Sequence, residues 1–272
     1  MSKVINKNIA LEILIATVNR DSLDFLKAMF SKVNLQDYTI LIVNQTTKEK
    51  LLKSDNPKLR IINSFEKGLS KSRNLAIENA IAPICLLADD DVVFIPGFEE
   101  KIRKAHSKHK AEIITFQTET TEGNLYWKYP KKSTVHTDFI TRKTLSIEIT
   151  FKREGLKTLR FNEDFGLGAK FEDAENYIFL SEAKKRGLGM FFVPETLSVH
   201  PPISSSDEVE SDRLLYAKSA VSSYKYGKKA YLWVLKFVFF LFRKKYISAS
   251  EIKHKLNVGF GAIKDYQKIK NA

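Results

Sequence analysis

Ile84-Cys85-Leu86-Leu87-Ala88-Asp89-Asp90-Asp91 is the stretch on which the reading of this chain turns. An unbroken apolar run of this length suits a fully buried β-strand. Three acids directly after it repel one another and forgo burial. In an open α/β sheet, ligands bind beyond the carboxyl ends of the strands. Carboxylates there can hold a hard divalent cation, and that cation can bridge the phosphates of a nucleotide diphosphate. The plain alternative is an acidic surface turn.

Working outward, Leu11–Thr17, Tyr38–Val43 and Leu59–Asn63 are further strand candidates. Between them Leu23, Leu26, Met29, Phe30 and Val33 recur at helical spacing, and residues 68–80 read as a second helix. Strands apolar throughout, alternating with helices, predict a parallel sheet covered on both faces. A charged helix after Pro96-Gly97 leads to a strand over 111–117. Residues 118–161 carry short β-like runs and no clear helix. A glycine-containing loop over 161–172, a helix over 173–186 and two short strands on either side of Pro194 follow. Residues 201–207, Pro-Pro-Ile-Ser-Ser-Ser-Asp, read as a linker.

The net charge of +13 is unevenly spread. From Arg213 to the end, 14 Lys and Arg face only Glu251 and Asp265, so the first three quarters is close to neutral. No long uncharged apolar stretch suits a membrane span. The lone Cys85 excludes an internal disulfide and suits a cytoplasmic setting. Tyr231–Phe242 is intensely apolar and is followed by Arg243-Lys244-Lys245, a pattern suited to a helix lying on an anionic membrane surface through residues 230–245. A helix packed on its own domain, or a homodimer contact, is the alternative. No nucleic-acid motif accompanies the charge, so no nucleic-acid partner is expected.

Upstream of the acids, Gly68-Leu69-Ser70-Lys71-Ser72-Arg73-Asn74 opens a helix with a glycine and cations. A helix N-terminus with free amides suits a diphosphate, although a solvated helix start looks the same. This run, the apolar strand and the acids, in that order, resemble the G-x-S-x-x-R-N helix and D-x-D motif of GT-A-fold glycosyltransferases of family 2. Thr17-Val18-Asn19-Arg20 is similar to the family's opening P-T-x-N-R, with Ala16 in place of the proline. The resemblance extends over about residues 9–202.

It implies an α/β fold of the GT-A type: a Rossmann-like nucleotide-diphospho-sugar transferase three-layer sandwich with a helical basic C-terminal extension. The catalytic domain is expected over 1–208, with a nucleotide-binding half to about 117 and an acceptor-binding half over about 118–208. The extension occupies 209–272. The resemblance implies a metal-dependent inverting transferase moving a sugar from a nucleotide-sugar donor, a UDP-sugar, to a hydroxyl of a glycan or lipid-linked glycan acceptor in surface polysaccharide assembly. The expected location is cytoplasmic, peripheral at the inner face of the cell membrane.

Thr17, Asn19, Arg20, Lys71, Arg73, Asp89 and Asp90 would bind the nucleotide sugar. Asn44 and Gln45 end the second strand where the family has an acid for the uracil N3–H, a bond an amide can also accept. Asp91 would hold a divalent metal, manganese or magnesium, with His200 as the remaining protein ligand. A lone histidine is otherwise structural. Phe165-Gly166-Leu167-Gly168-Ala169-Lys170-Phe171-Glu172-Asp173 resembles the family's glycine loop ending in a Glu-Asp pair. On that basis Asp173 is the catalytic base, and Gly168 and Glu172 bind the acceptor; an ordinary helix N-cap is the alternative. Two other functions remain in view: a non-catalytic peripheral membrane or glycan-binding protein on the same scaffold, and a sugar-phosphate nucleotidyltransferase. The latter needs a glycine-rich loop that Thr17–Arg20 lacks.

Overall fold

The computed structural model describes residues 10–202 and 209–271. They divide into two compact units, within Met1–Asn162 and Asn176–Pro202 for the first, and Glu163–Glu175 and Ile203–Ala272 for the second. Most of the linker expected over 201–207 lies outside the described residues.

The first unit begins with β1 (Leu11–Val18), α1 (Phe25–Met29), β2 (Thr39–Gln45), β3 (Leu59–Ser64), α2 (Leu69–Asn79) and β4 (Ile84–Asp89). It continues with β5 (Val93–Phe94), α3 (Phe98–Lys108), β6 (Ile113–Thr120), β7 (Thr134–Val135), α4 (Asp138–Lys143), β8 (Ile149–Lys152) and α5 (Arg153–Leu156), and ends with α6 (Glu175–Lys185) and β9 (Met190–His200). The sheet runs β3-β2-β1-β4-β8-β6-β9-β5, with β7 also on β9.

Alternate residues of the central strands feed different layers, as the period of two requires. Ile13, Ile15, Ile40, Ile42, Leu86 and Ala88 join Phe94 and Phe98 in one core. Leu14, Leu41, Val43, Cys85 and Leu87 join Phe151, Phe161 and Phe179 in the other. Burying each large apolar side chain contributes about 1.5–3 kcal/mol. The result is the three-layer sandwich that two-sided burial predicts.

Four departures from expectation have local causes. The sheet is mixed, because β8 pairs antiparallel with both β4 and β6, and β5 and β7 pair antiparallel with β9. The two strands expected around Pro194 are one strand, β9. There Thr115 pairs with Phe192 and Gln117 with Thr196, so a bulge absorbs the proline that cannot donate to a ladder. The helix expected from Leu23 is only α1, followed by a 3-10 turn over Leu35–Asp37. Residues 118–161 contain α4 and α5, each too short to show a helical period. In addition, β1 contains the fully buried Glu12, held by Arg60 at 2.6 Å and by the N–H groups of Ile81 and Ala82 at 2.7 and 3.2 Å.

The second unit contains α7 (Asp212–Tyr226), α8 (Ala230–Arg243) and α9 (Ile252–Asn271). Leu215, Val234, Val238, Leu241 and Ile263 form its core. Gly259 lets α9 approach α8, because a Cβ there would meet Val234 Cγ1 at 2.5 Å. The glycine loop is tied to these helices by aromatic contacts: Phe165 lies 6.0 Å from Tyr266 and Phe171 5.4 Å from Tyr216, ring centre to ring centre.

Candidate active site

Parallel registry brings the ends of the strands together. Ala16 of β1 pairs with Asp89 of β4, while Thr17 and Val18 pair with Asn44 and Gln45 of β2. Residues far apart in the chain thereby reach one sheet edge, the location expected for a ligand site in an open α/β sheet.

Each of the three consecutive acids there is neutralised from a different part of the chain. Asp89 accepts from Arg73 Nη2 and Ser146 Oγ, both at 3.0 Å. Asp90 accepts from Arg20 Nε at 2.8 Å and from the Thr17 hydroxyl. Asp91 lies 3.1 Å from His200 Nε2. Two guanidinium groups, from α2 and the β1 end, and the His200 imidazole at the β9 end thus offset the repulsion that makes such a run costly.

Arg73 is 3% exposed, its guanidinium also donating to Asn176 Oδ1 at 3.3 Å and lying 5.5 Å from the centre of the Phe161 ring. Its neighbour Asn74 donates to Phe161 O at 3.0 Å and accepts from Phe161 N–H at 2.7 Å, fixing the buried side of α2. The helix starts after Gly68, whose φ of 126° an L-residue adopts only with strain. The Gly68 N–H donates to Gln45 Oε1 at 2.7 Å. Lys71 pairs with Glu66 at 2.6 Å.

Asn19 has φ 53°, a left-handed conformation that asparagine tolerates well, and its N–H donates to Gln45 O at 2.7 Å. Asn44 lies near the end of β2. It is fully buried: Oδ1 accepts Arg20 N–H at 3.1 Å, and Nδ2 donates to Arg20 O at 2.9 Å and to Asn63 Oδ1 at 3.1 Å. Its amide thereby clamps the loop that carries Arg20.

His200 ends β9 in register with Thr120, its ring edge-on to Tyr126 at 5.8 Å. Its Nδ1–H donates to Pro201 O at 2.5 Å, which orients the ring with Nε2 towards Asp91. Burial acts against its charge, but the hydrogen bond and charge of Asp91 outweigh this and raise its pKa. The hydrogen bond from His200 in turn lowers that of Asp91. The pair offers one carboxylate and one imidazole nitrogen to a cation. Among the described residues no group of three or more His, Cys, Asp or Glu is arranged to enclose one. Cys85 is buried, which pushes its thiol pKa up and leaves it in the core.

Gly168, Glu172 and Asp173 belong to the second unit. The Gly168 N–H donates to Glu172 Oε1 at 3.3 Å, closing the glycine loop on itself. Asp173 precedes Ala174, whose φ of 68° makes a sharp entry to α6. Burial pushes the Asp173 carboxyl above the ordinary aspartate range, the Ala174 N–H opposes this and the charge of Glu175 adds to it.

Three contributors escaped the sequence reading. Ser146 and Asn176 steady Asp89 and Arg73, and Tyr126 packs on His200. Ser146 and Tyr126 come from the weakly patterned region 118–161, where no motif marks them.

Residues 12–171 match the model of glycosyl transferase family 2. The chain belongs to that family and is a glycosyltransferase by class. No curated protein matches it in sequence. Solved structures of S. aureus TarS share its fold. The TarS 1-349 complex with UDP is 14% identical with a TM-score of 0.53, covering 95% of this chain and 91% of that one. The complex with UDP-GlcNAc is 12% identical with a TM-score of 0.52, over 95% and 92%. Against the longer S. aureus TarS structure the identity is 14% and the TM-score 0.55, with 94% of this chain matched to 54% of that one.

Proposed function

We propose that this chain transfers a sugar, hexosyl or N-acetylhexosaminyl, from a UDP-sugar to a hydroxyl of a glycan or lipid-linked glycan, with inversion and with help from manganese or magnesium. The observation that carries the reading is the division of labour among Asp89, Asp90 and Asp91. The first two are held by Arg73 and Arg20, while Asp91 meets an imidazole whose other nitrogen is already committed. The UDP and UDP-GlcNAc bound by the TarS structures support the choice of donor.

Two protein ligands suit a magnesium- or manganese-type ion, which takes few protein groups and completes its shell with water and substrate phosphates. The Nδ1–H···O=C bond of His200 is the outer-shell partner that ligating histidines commonly keep. When bound, the metal supplies charge neutralisation at the diphosphate. Arg73 and Arg20 hold Asp89 and Asp90 in fixed orientations for donor hydroxyls. The α2 N-terminus after Gly68 adds the positive end of a helix dipole, which favours anions. Asp173, with its raised pKa, takes the proton of the acceptor hydroxyl as that oxygen attacks the anomeric carbon and the bond from that carbon to the diphosphate breaks, releasing UDP.

The test is release of sugar and UDP from a panel of UDP-sugars, with and without manganese. Manganese-dependent turnover abolished by Asp91→Ala is expected. Full activity in EDTA would remove the metal from the scheme, and no binding of any UDP-sugar would remove the donor.

A further inference from the structure

We propose that the outward face of α8 is a docking surface for a lipid bilayer rich in anionic headgroups. The inference does not rest on the transfer reaction.

α8 has two apolar faces. Ala230, Val234, Val238 and Leu241 are buried in the helical core. On the other side Leu232, Leu235, Phe239 and Phe242 are exposed by 60%, 45%, 63% and 39%. Their spacing lines them up along one side of a helix. A surface helix normally gives that side to charged and polar residues.

What surrounds the stripe identifies its partner. Lys225, Lys228 and Lys229 precede it, Lys236 lies beside it, and Arg243, Lys244 and Lys245 follow, all exposed. No Asp or Glu occurs between Asp212 and Glu251. Tyr226 and Tyr246, both exposed, flank the helix with amphipathic rings suited to the headgroup level. Lys236 and Arg243 have stems long enough to lie along apolar residues while their charges reach outward.

A second copy of this face would set like charges against each other across a two-fold axis. Anionic headgroups neutralise them instead. The 14 residues of α8 extend about 21 Å, short of the roughly 30 Å hydrocarbon core. No helix of the described residues is long and apolar enough to cross a membrane. The helix therefore lies in the interface plane, with the stripe inserted and the cations around it.

The test is co-sedimentation of the full chain with vesicles of phosphatidylcholine alone or mixed with phosphatidylglycerol. Binding to the mixed vesicles, weakened by salt, is expected. Leu232→Ser with Phe239→Ser, and separately Lys244→Gln with Lys245→Gln, should each lower the partition coefficient roughly tenfold. Melting temperature and UDP-sugar binding should stay at wild-type values, which separates this proposal from the catalytic one. Equal binding to neutral and mixed vesicles, or no loss in either variant, would overturn it. So would lipid-free self-association that the serine variant abolishes, since that would assign the face to a second copy.

Discussion

Arg73 and Asp89 meet at 3.0 Å with unequal exposure: the guanidinium side chain is 3% exposed and the carboxylate 31%. The cation is the buried partner, and its fork is divided between Asp89 and Asn176. Removing it leaves Asp89 with Ser146 but no cation, and takes the guanidinium from Asn176. Arg73→Ala should therefore destabilise the fold by about 3 kcal/mol in urea unfolding. Arg73→Lys should recover little of this, since a point charge cannot serve both partners. Wild-type stability for either variant would show that Asp89 finds another partner.

Asp91 and His200 should behave as one unit towards metal. Asp91→Ala and His200→Ala should each weaken manganese-dependent UDP-sugar binding by roughly 100-fold. A thermal-shift titration reads this directly, because the donor raises the melting temperature only where it binds the folded chain. If either variant keeps the manganese-dependent shift, that residue is not a ligand.

Asp173 should set the acid side of the rate profile. A base works deprotonated, and a raised pKa means that activity falls as pH drops through a value above the ordinary aspartate range. Asp173→Asn should abolish transfer while donor binding persists. A profile whose acid limb remains unchanged in the asparagine variant would assign the base elsewhere.

Glu148 makes stability depend on pH. Burial pushes its pKa up to about 8, against bonds from the Tyr129 hydroxyl and the Leu145 N–H that favour the charged form. The folded chain thus holds a proton that the unfolded chain releases near pH 4.5. The stabilisation is complete below pH 4.5 and is lost as pH rises to about 8, at up to about 1.4 kcal/mol per pH unit. Glu148→Gln should flatten the denaturation midpoint across that window. An unchanged slope would locate the pH dependence in another group.

Gly259→Ala tests the helical unit. The added methyl meets Val234 Cγ1 at 2.5 Å and Ser219 Oγ at 3.1 Å, both in buried positions. Overpacking of this kind costs about 1–3 kcal/mol. Pairing it with Val234→Ala should return part of the loss, and the double-mutant cycle measures how much.

The strands β1, β2 and β4 were legible because both faces are covered, which leaves unbroken apolar runs that little else in a soluble chain produces. The acids, the Gly68–Asn74 helix start and His200 were legible as motifs at strand ends. β8 was not, since four residues, Ile149–Lys152, carry no usable period. Pro194 suggested a break because nothing in the sequence shows that β9 bulges there and continues past it. The bonds of Asn44 were not legible either: it meets the Arg20 backbone, and backbone partners are invisible in a list of side chains. Nor could the sequence show that Arg60 and two N–H groups satisfy Glu12 inside β1.

The position of His200 at the end of β9 has a consequence for synthesis. β9 lies between β6 and β5, so the sheet stays open until residues 190–200 have left the ribosome. Until then the nascent chain exposes the unpaired edges of β6 and β5, and Asp91 waits for its imidazole. Long-range closure of this kind is slow and leaves strand edges vulnerable to wrong partners. Chains stopped short of β9 should be the aggregating species in cells, whatever the fate of the helices that follow.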